Sequence, residues 1–212
     1  MMQRLPIVTR PATAADQPTA ATLLARAFID DPALCFLFTD AADRPRRLAR
    51  FFALITSIDS TPALWTLAAE QTGADATGAE SAVALWRPPG SWRTSPAAML
   101  INALPLIQIF GWSLRRALAM QGQIESHHPQ PPHWYLQFVG CVPERQSRGL
   151  GGAVIRARLA QCDADGLPAA LETATPANVG MYEALGFAVT GTYRISGGGP
   201  EFWSMWREPR RV

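Results

Sequence analysis

The sequence predicts a mixed α/β protein folded around a buried sheet, on three observations. Between residues 134 and 207, strand-like apolar runs (WYLQFVGCV, PAALETA, FAVTGTYRI and FWSMWR) alternate with two helical patterns, at 151–165 and over ANVGMYEAL. The 212 residues are 48% apolar and 17% charged, enough for a sizeable core under an ordinary globular surface. No internal repeat runs along the chain, which excludes stacked-repeat architectures.

In chain order, IVTRPATAAD reads as a strand entering a helix start, with Thr13 and Asp16 at capping-box spacing. Leu23, Leu24, Ala27 and Phe28 give a one-sided helix that ends before Pro32. Leu48, Phe51, Phe52 and Ile55 mark a helix over 44–58. LWTLAA and SAVALW read as strands flanking EQTGADATGAE, a hairpin loop expected to be long and mobile. Residues 95–124 are helical in pattern with breaks at Pro105 and Gly111, and ESHHPQPPH is a loop. A strand follows at 134–142, then an amphipathic helix with Val154, Ile155, Leu159 and Cys162 inward and Gly166 just past its end. PAALETA is a strand, the next helix stops at Gly186, and SGGGPE turns the chain between the last two strands.

Bulk composition narrows the function. A formal charge of +2 argues against a nucleic-acid or anionic-membrane partner. All 19 basic residues are Arg, so chemistry that needs a Lys, such as a Schiff base, is excluded. Cys35, Cys141 and Cys162 cannot all pair, and neither they nor the three His show metal-ligand spacing; the expectation is a reducing cytoplasm and no metal. MMQRLPIVTR has no apolar core of signal-peptide length. AAMLINALPLIQIFGW is interrupted by Asn102, Pro105 and Gln108, so no membrane span is expected.

The stretch RQSRGLGGAV brings glycine backbone into position to face an anion. A P-loop would need a Lys, which is absent. A dinucleotide fingerprint fits Gly149 and Gly151 but meets Val154 at its third position, and residues 143–148 make the turn too long. The third pattern, Gln-x-x-Gly-x-Gly, is met by Gln146, Gly149 and Gly151. Here CVPERQSRGLGG resembles the acetyl-CoA signature of the GNAT family of N-acetyltransferases, and LETATPANVGMYEALGF resembles that family's second recurring segment.

That resemblance implies a GNAT-type fold: a central, mostly antiparallel mixed sheet flanked by helices, with a bulged central strand. Residues 1–212 would be one domain, 1–130 supplying the acceptor-side helices and 131–212 the acetyl-CoA-binding core. The cofactor, acetyl-CoA, would meet Gly140, Cys141 and Val142 on the bulged strand, with Gly140 the bulge residue. Its diphosphate would meet the backbone of Gln146, Ser147, Arg148, Gly149, Leu150, Gly151 and Gly152 at a helix N-terminus. Asn178 and Tyr182, four apart, would face the pantetheine arm and the thioester sulfur.

Acetyl transfer to an amine needs fixed donors for the thioester oxygen, a proton for the leaving thiolate and a proton acceptor for the amine. Tyr182 is the expected acid. For the acceptor, Glu125, His127, His128, Asp30, Asp31 and water all stand open. Cys141 as an acylated nucleophile would need a base partner that nothing in the sequence assigns, and the resemblance implies direct transfer instead. Trp86, Glu125 and His127 are the expected acceptor contacts, with Trp92, Phe110 and Trp112 adding aromatic surface. The expected partner is a small, partly apolar amine, and the expected assembly a monomer or homodimer. The competing readings are a non-catalytic acyl-CoA sensor and, more distantly, a nicotinamide oxidoreductase.

Overall fold

A computed structural model of the protein describes residues 5–58, 61–71, 78–93 and 96–210. Its strands are β1 (Ile7–Pro11), β2 (Thr66–Glu70), β3 (Ala82–Arg87), β4 (Trp134–Cys141), β5 (Ala169–Thr173), β6 (Ala188–Arg194) and β7 (Glu201–Arg207). They form one mixed sheet in the order β1-β2-β3-β4-β5-β7-β6, antiparallel throughout except for the β4–β5 pair.

Helices cover both faces, which is why TLAAE and AVALWR are buried almost end to end rather than alternating. On one face lie α1 (Gln17–Ala27), α2 (Pro32–Leu37), α3 (Arg44–Ile58), α5 (Ala103–Phe110) and α6 (Leu114–His127), packed around Leu24, Leu34, Phe52 and Phe110. On the other lie α7 (Leu150–Asp165) and α8 (Val179–Ala184), packed around Trp86, Ile155, Leu171 and Phe187. The short α4 (Pro96–Ile101) precedes α5.

Two irregularities of β4 shape the middle of the sheet. Leu85 pairs with Phe138 but Trp86 pairs with Leu136, so Gln137 is the extra residue of a β-bulge. It reverses the alternation of β4, putting Leu136 and Val139 on the same, α7 side of the sheet. Secondly, β4 and β5 pair only at Trp134–Ala169 and Tyr135–Ala170 and then splay apart. The Val142 amide donates to Ser81 O on the β3 side (2.9 Å), so by alternation the Val139 and Cys141 amides face the opening.

Several expectations need correcting. The bulge is at Gln137, not Gly140. Gly140 instead admits α1: a Cβ there would lie 2.7 Å from Ala27 Cβ and 3.2 Å from Leu24 Cδ2. The helical region breaks at Asn102 rather than Pro105, which sits in the first turn of α5 where its missing N–H costs nothing. The helix before the His loop runs on through His127. Helix α2 has no counterpart in the sequence reading; Asp31 caps it, accepting from the amides of Ala33 (3.0 Å) and Leu34 (3.1 Å). The capping box of Thr13 and Asp16 is present, and Gly166 ends α7 in the left-handed conformation. In the expected mobile loop EQTGADATGAE, residues 72–77 lie outside the described residues.

Candidate active site

The opening between β4 and β5 leads into a cavity of about 300 Å³. Tyr182 and Asn178 line its α7 side; Phe28, Trp92, Phe110 and Phe138 line its other, largely apolar side. The cavity thus passes through the sheet at the splay, and two molecules could meet there from opposite faces.

Below the splay, the glycine loop turns into α7. Ser147 and Gly149 both take positive φ, at 60° and 94°, a conformation that favours glycine at 149 and strains 147. The first helical bond runs from Ala153 N to Gly149 O (2.9 Å), leaving the amides of Leu150, Gly151 and Gly152 without helical partners at the positive end of the helix. Gln146 Nε2 donates to Cys141 O (3.2 Å) and ties the loop to the end of β4. Arg145 and Arg148 both reach Glu70, at 2.6 and 3.3 Å, so two guanidiniums share one carboxylate and net positive charge remains beside the loop. Arg156 adds to it, its Nη1 lying 3.1 Å from where a Cβ of Gly152 would be.

Tyr182 is buried, and its hydroxyl makes no hydrogen bond among the described residues. Burial, then the charge of Asp31, pushes its pKa well above the ordinary tyrosine range, so it stays protonated. The Asp31 carboxyl is itself pushed up by burial, against the bonds it accepts from its capped helix and the 3.3 Å bond from Thr175 Oγ1. Burial likewise pushes the Cys141 thiol up to about 11, with Glu70 adding to the effect, which makes it a poor nucleophile.

Glu172 on β5 sits just past the last β4–β5 pair, lining the cavity with a side chain 3% exposed. Its Oε1 lies 3.1 Å from His128 Nδ1, while Oε2 has no hydrogen-bond partner. His128 Nε2 lies 3.0 Å from His133 Nε2, and His133 Nδ1 lies 2.6 Å from Pro131 O. Trp92 stacks on His128 at 3.8 Å, and Tyr135 meets the ring edge-on at 4.7 Å. The Tyr193 hydroxyl is also buried without a partner.

The expected acceptor contacts are placed unevenly. Glu125 lines the cavity, accepting from Gln121 Nε2 at 3.0 Å. His127 is exposed, stacks on Tyr193 at 3.9 Å and does not line the cavity. Trp86 is fully buried on the α7 face, because strand alternation turns it away from the acceptor side; Trp92 holds the aromatic position there. Trp112 is fully exposed. Sequence reasoning missed Glu172 and His133 as site residues, whereas Trp92, expected to add aromatic surface, lines the cavity. The signal for Glu172 was the ETA that ends PAALETA, a charge in a strand otherwise buried. Among the described residues no group of His, Cys, Asp and Glu could hold a metal ion, and no helix is long and apolar enough to cross a membrane.

A mixed sheet opened between two parallel strands, with a helix N-terminus beneath, is a fold shared with solved acetyltransferases. Residues 112–187 match the model of the acetyltransferase (GNAT) family. The fold is shared across the chain's length. A structure described as histone acetyltransferase HPA2 and related acetyltransferase, from Corynebacterium glutamicum, has a TM-score of 0.69 at 23% identity, with 97% of this chain and 98% of that one covered. Arylalkylamine N-acetyltransferase 2 from Aedes aegypti has a TM-score of 0.63 at 10% identity, covering 96% and 99%. The NatC complex bound to Gag peptide and CoA has a TM-score of 0.56 at 12% identity, covering 97% and 100%.

Proposed function

We propose that this protein is an acetyl-CoA-dependent N-acetyltransferase that moves the acetyl group directly to a primary amine of a small, partly apolar molecule. The observation that carries the reading is the cavity that passes through the splayed sheet, with Tyr182 on the glycine-loop side and an aromatic wall on the other. The Val139 and Cys141 amides would meet the thioester, in place of the expected Gly140 and Val142, and residues 146–152 would cradle the diphosphate of coenzyme A; the NatC complex, similar in fold, is bound to CoA. The segments VTRPATAAD, AFIDDPA, VALWRPPG and LETATPANVGMYEALGFAV also resemble puromycin N-acetyltransferase, which supports the reaction more than an antibiotic-like acceptor, because residues 95–130, on the acceptor side, are the least alike.

In the reaction the amine nitrogen forms a bond to the thioester carbonyl carbon, and the oxygen takes negative charge against the β4 amides. The C–S bond then breaks with its electron pair on sulfur, which takes the Tyr182 proton. The phenolate is restored by a proton from the new amide nitrogen, through water. Nothing in the cavity favours transfer through Cys141, so both substrates are held together. A cytoplasmic, monomeric or homodimeric enzyme with no metal suits this chemistry. A panel of apolar primary amines with acetyl-CoA, followed by free thiol release and mass of the product, is the test. Coenzyme A binding without acetylation of any amine would mark a sensor instead.

A further inference from the structure

The network behind the cavity wall has a proton count that its hydrogen bonds dictate. Pro131 O can only accept, so the 2.6 Å contact requires a proton on His133 Nδ1. Burial lowers the His133 pKa and keeps the ring neutral, leaving Nε2 bare to accept from His128 Nε2–H across 3.0 Å. That donation uses the proton of a neutral His128, yet its Nδ1 still lies 3.1 Å from Glu172 Oε1. Two neutral rings supply two protons for three hydrogen bonds. The third bond forms only when the network carries one more, shared between Glu172 and His128.

A carboxylate that completes a hydrogen bond on being protonated is well placed to take a proton, and its other oxygen is open. Oε2 is buried, unpartnered and on the wall of the cavity that crosses the sheet. The groups facing the network from the other elements are Tyr135 on β4, Tyr193 on β6 and Glu125 on α6. Burial holds the two tyrosine hydroxyls protonated, Tyr135 with a further push from Glu172. Arg87, beside Tyr135, is tied to Gln137 at 2.8 Å. Among the described residues no cation therefore neutralises Oε2, and a ligand's ammonium group would.

We propose that Glu172 seats the acceptor's amino group as an ammonium ion and takes one proton from it, with His128 and His133 as positioning residues that hold the proton once taken. This rests on the acetyltransferase reading above. One N–H bond of the ammonium breaks, its electron pair stays on nitrogen as the attacking pair, and the proton passes to the carboxylate and the His128 Nδ1 contact. When the neutral amide product leaves, the network returns that proton to water, ready for the next cation.

Two measurements decide it. In the ¹⁵N spectrum of the ligand-free protein at neutral pH, His133 should carry its proton on Nδ1 alone and His128 on Nε2 alone; adding an amine that wild type acetylates, with no acetyl-CoA, should displace His128 Nδ1 from the position of a bare ring nitrogen. In Glu172→Gln the same amine should leave His128 Nδ1 at that position. With an amine that wild type acetylates, Glu172→Gln should lower kcat/KM by about 10²–10⁴-fold. The loss should be recovered roughly tenfold per pH unit as the free amine accumulates, while coenzyme A affinity stays unchanged. A purely structural role for Glu172 predicts no such recovery. A His128 Nδ1 that stays bare in wild type with the amine bound, or an unchanged rate in Glu172→Gln, overturns the proposal and leaves acetyl transfer standing. If no amine is acetylated, acetyl transfer itself falls and the amine-seat proposal with it, whatever the ring signals show.

Discussion

At Tyr182 the hydroxyl is separable from the ring. The ring packs against Phe187, at 6.1 Å between centroids, in the core under α7, while the hydroxyl meets only the cavity. Tyr182→Phe should therefore leave the melting temperature nearly unchanged and coenzyme A affinity intact, with turnover down by about 10²–10⁴-fold. Wild-type turnover would assign thiolate protonation to water. Gly140 makes a different prediction. An added Cβ would press on Ala27 and Leu24, so Gly140→Ala should cost about 1–3 kcal/mol in denaturant unfolding, the range for overpacked cores. Both residues stood out in the sequence, and for Gly140 the expected role as the bulge residue is overturned. A glycine reads alike whether it permits a bulge or the approach of a helix, and that difference is long-range. Glu172, His128 and His133 were harder still, because the three converge only once β5 and the His loop pack together.

Helix α7 shows how an element's two ends can be tested apart. At its N-terminus, Gly149 needs positive φ, so any substitution there mixes strain with binding. Gly151 has helical backbone and nothing nearer than Met181 Sδ at 4.0 Å. Gly151→Asp therefore adds a negative charge at the proposed diphosphate seat with little strain, and calorimetry should show coenzyme A affinity reduced by tenfold or more in a folded protein. At the C-terminal end, Asp163 receives both Nη atoms of the buried Arg207, at 2.7 and 2.8 Å, pinning α7 to β7. Asp163→Ala strands that guanidinium and should cost about 3–5 kcal/mol. Its pH dependence has a definite sign. The Arg207 hydrogen bonds hold the Asp163 carboxyl below its ordinary range, so its stabilisation is present above about pH 4 and lost as pH falls further. Wild type should lose melting temperature there more steeply than the variant. The elements themselves were largely legible in the sequence because helical and strand periodicities are local. Helix α2 was not, since Pro32 reads as the stop of the preceding helix as readily as the first position of a new one.

Across the whole molecule, one sheet separates two approaches to one cavity. The glycine loop and Tyr182 lie on the α7 face, the aromatic wall and Glu172 on the other. Direct transfer in a ternary complex, as proposed, predicts initial-rate lines that intersect rather than run parallel. Cys141→Ala should keep turnover within about twofold, since burial holds the thiol protonated; abolished turnover would restore an acyl-enzyme. The sequence, with no Lys among its 19 basic residues, excluded a Lys-dependent reaction. It said nothing of which face each ligand would use, because that depends on where the sheet opens.

The opening also has a mechanical meaning. With β4 and β5 joined by two residue pairs, the sheet is close to two panels, β1–β4 and β5–β7, hinged along a short seam. An extended ligand arm lying along the free edge of β4 would act as a keystone, bonding to the Val139 and Cys141 amides and bracing one panel against the other. Coenzyme A should then stabilise the fold as well as occupy it, by about 2.7 kcal/mol at a hundredfold excess over Kd. Slowed amide exchange should be concentrated at the seam rather than spread through both panels.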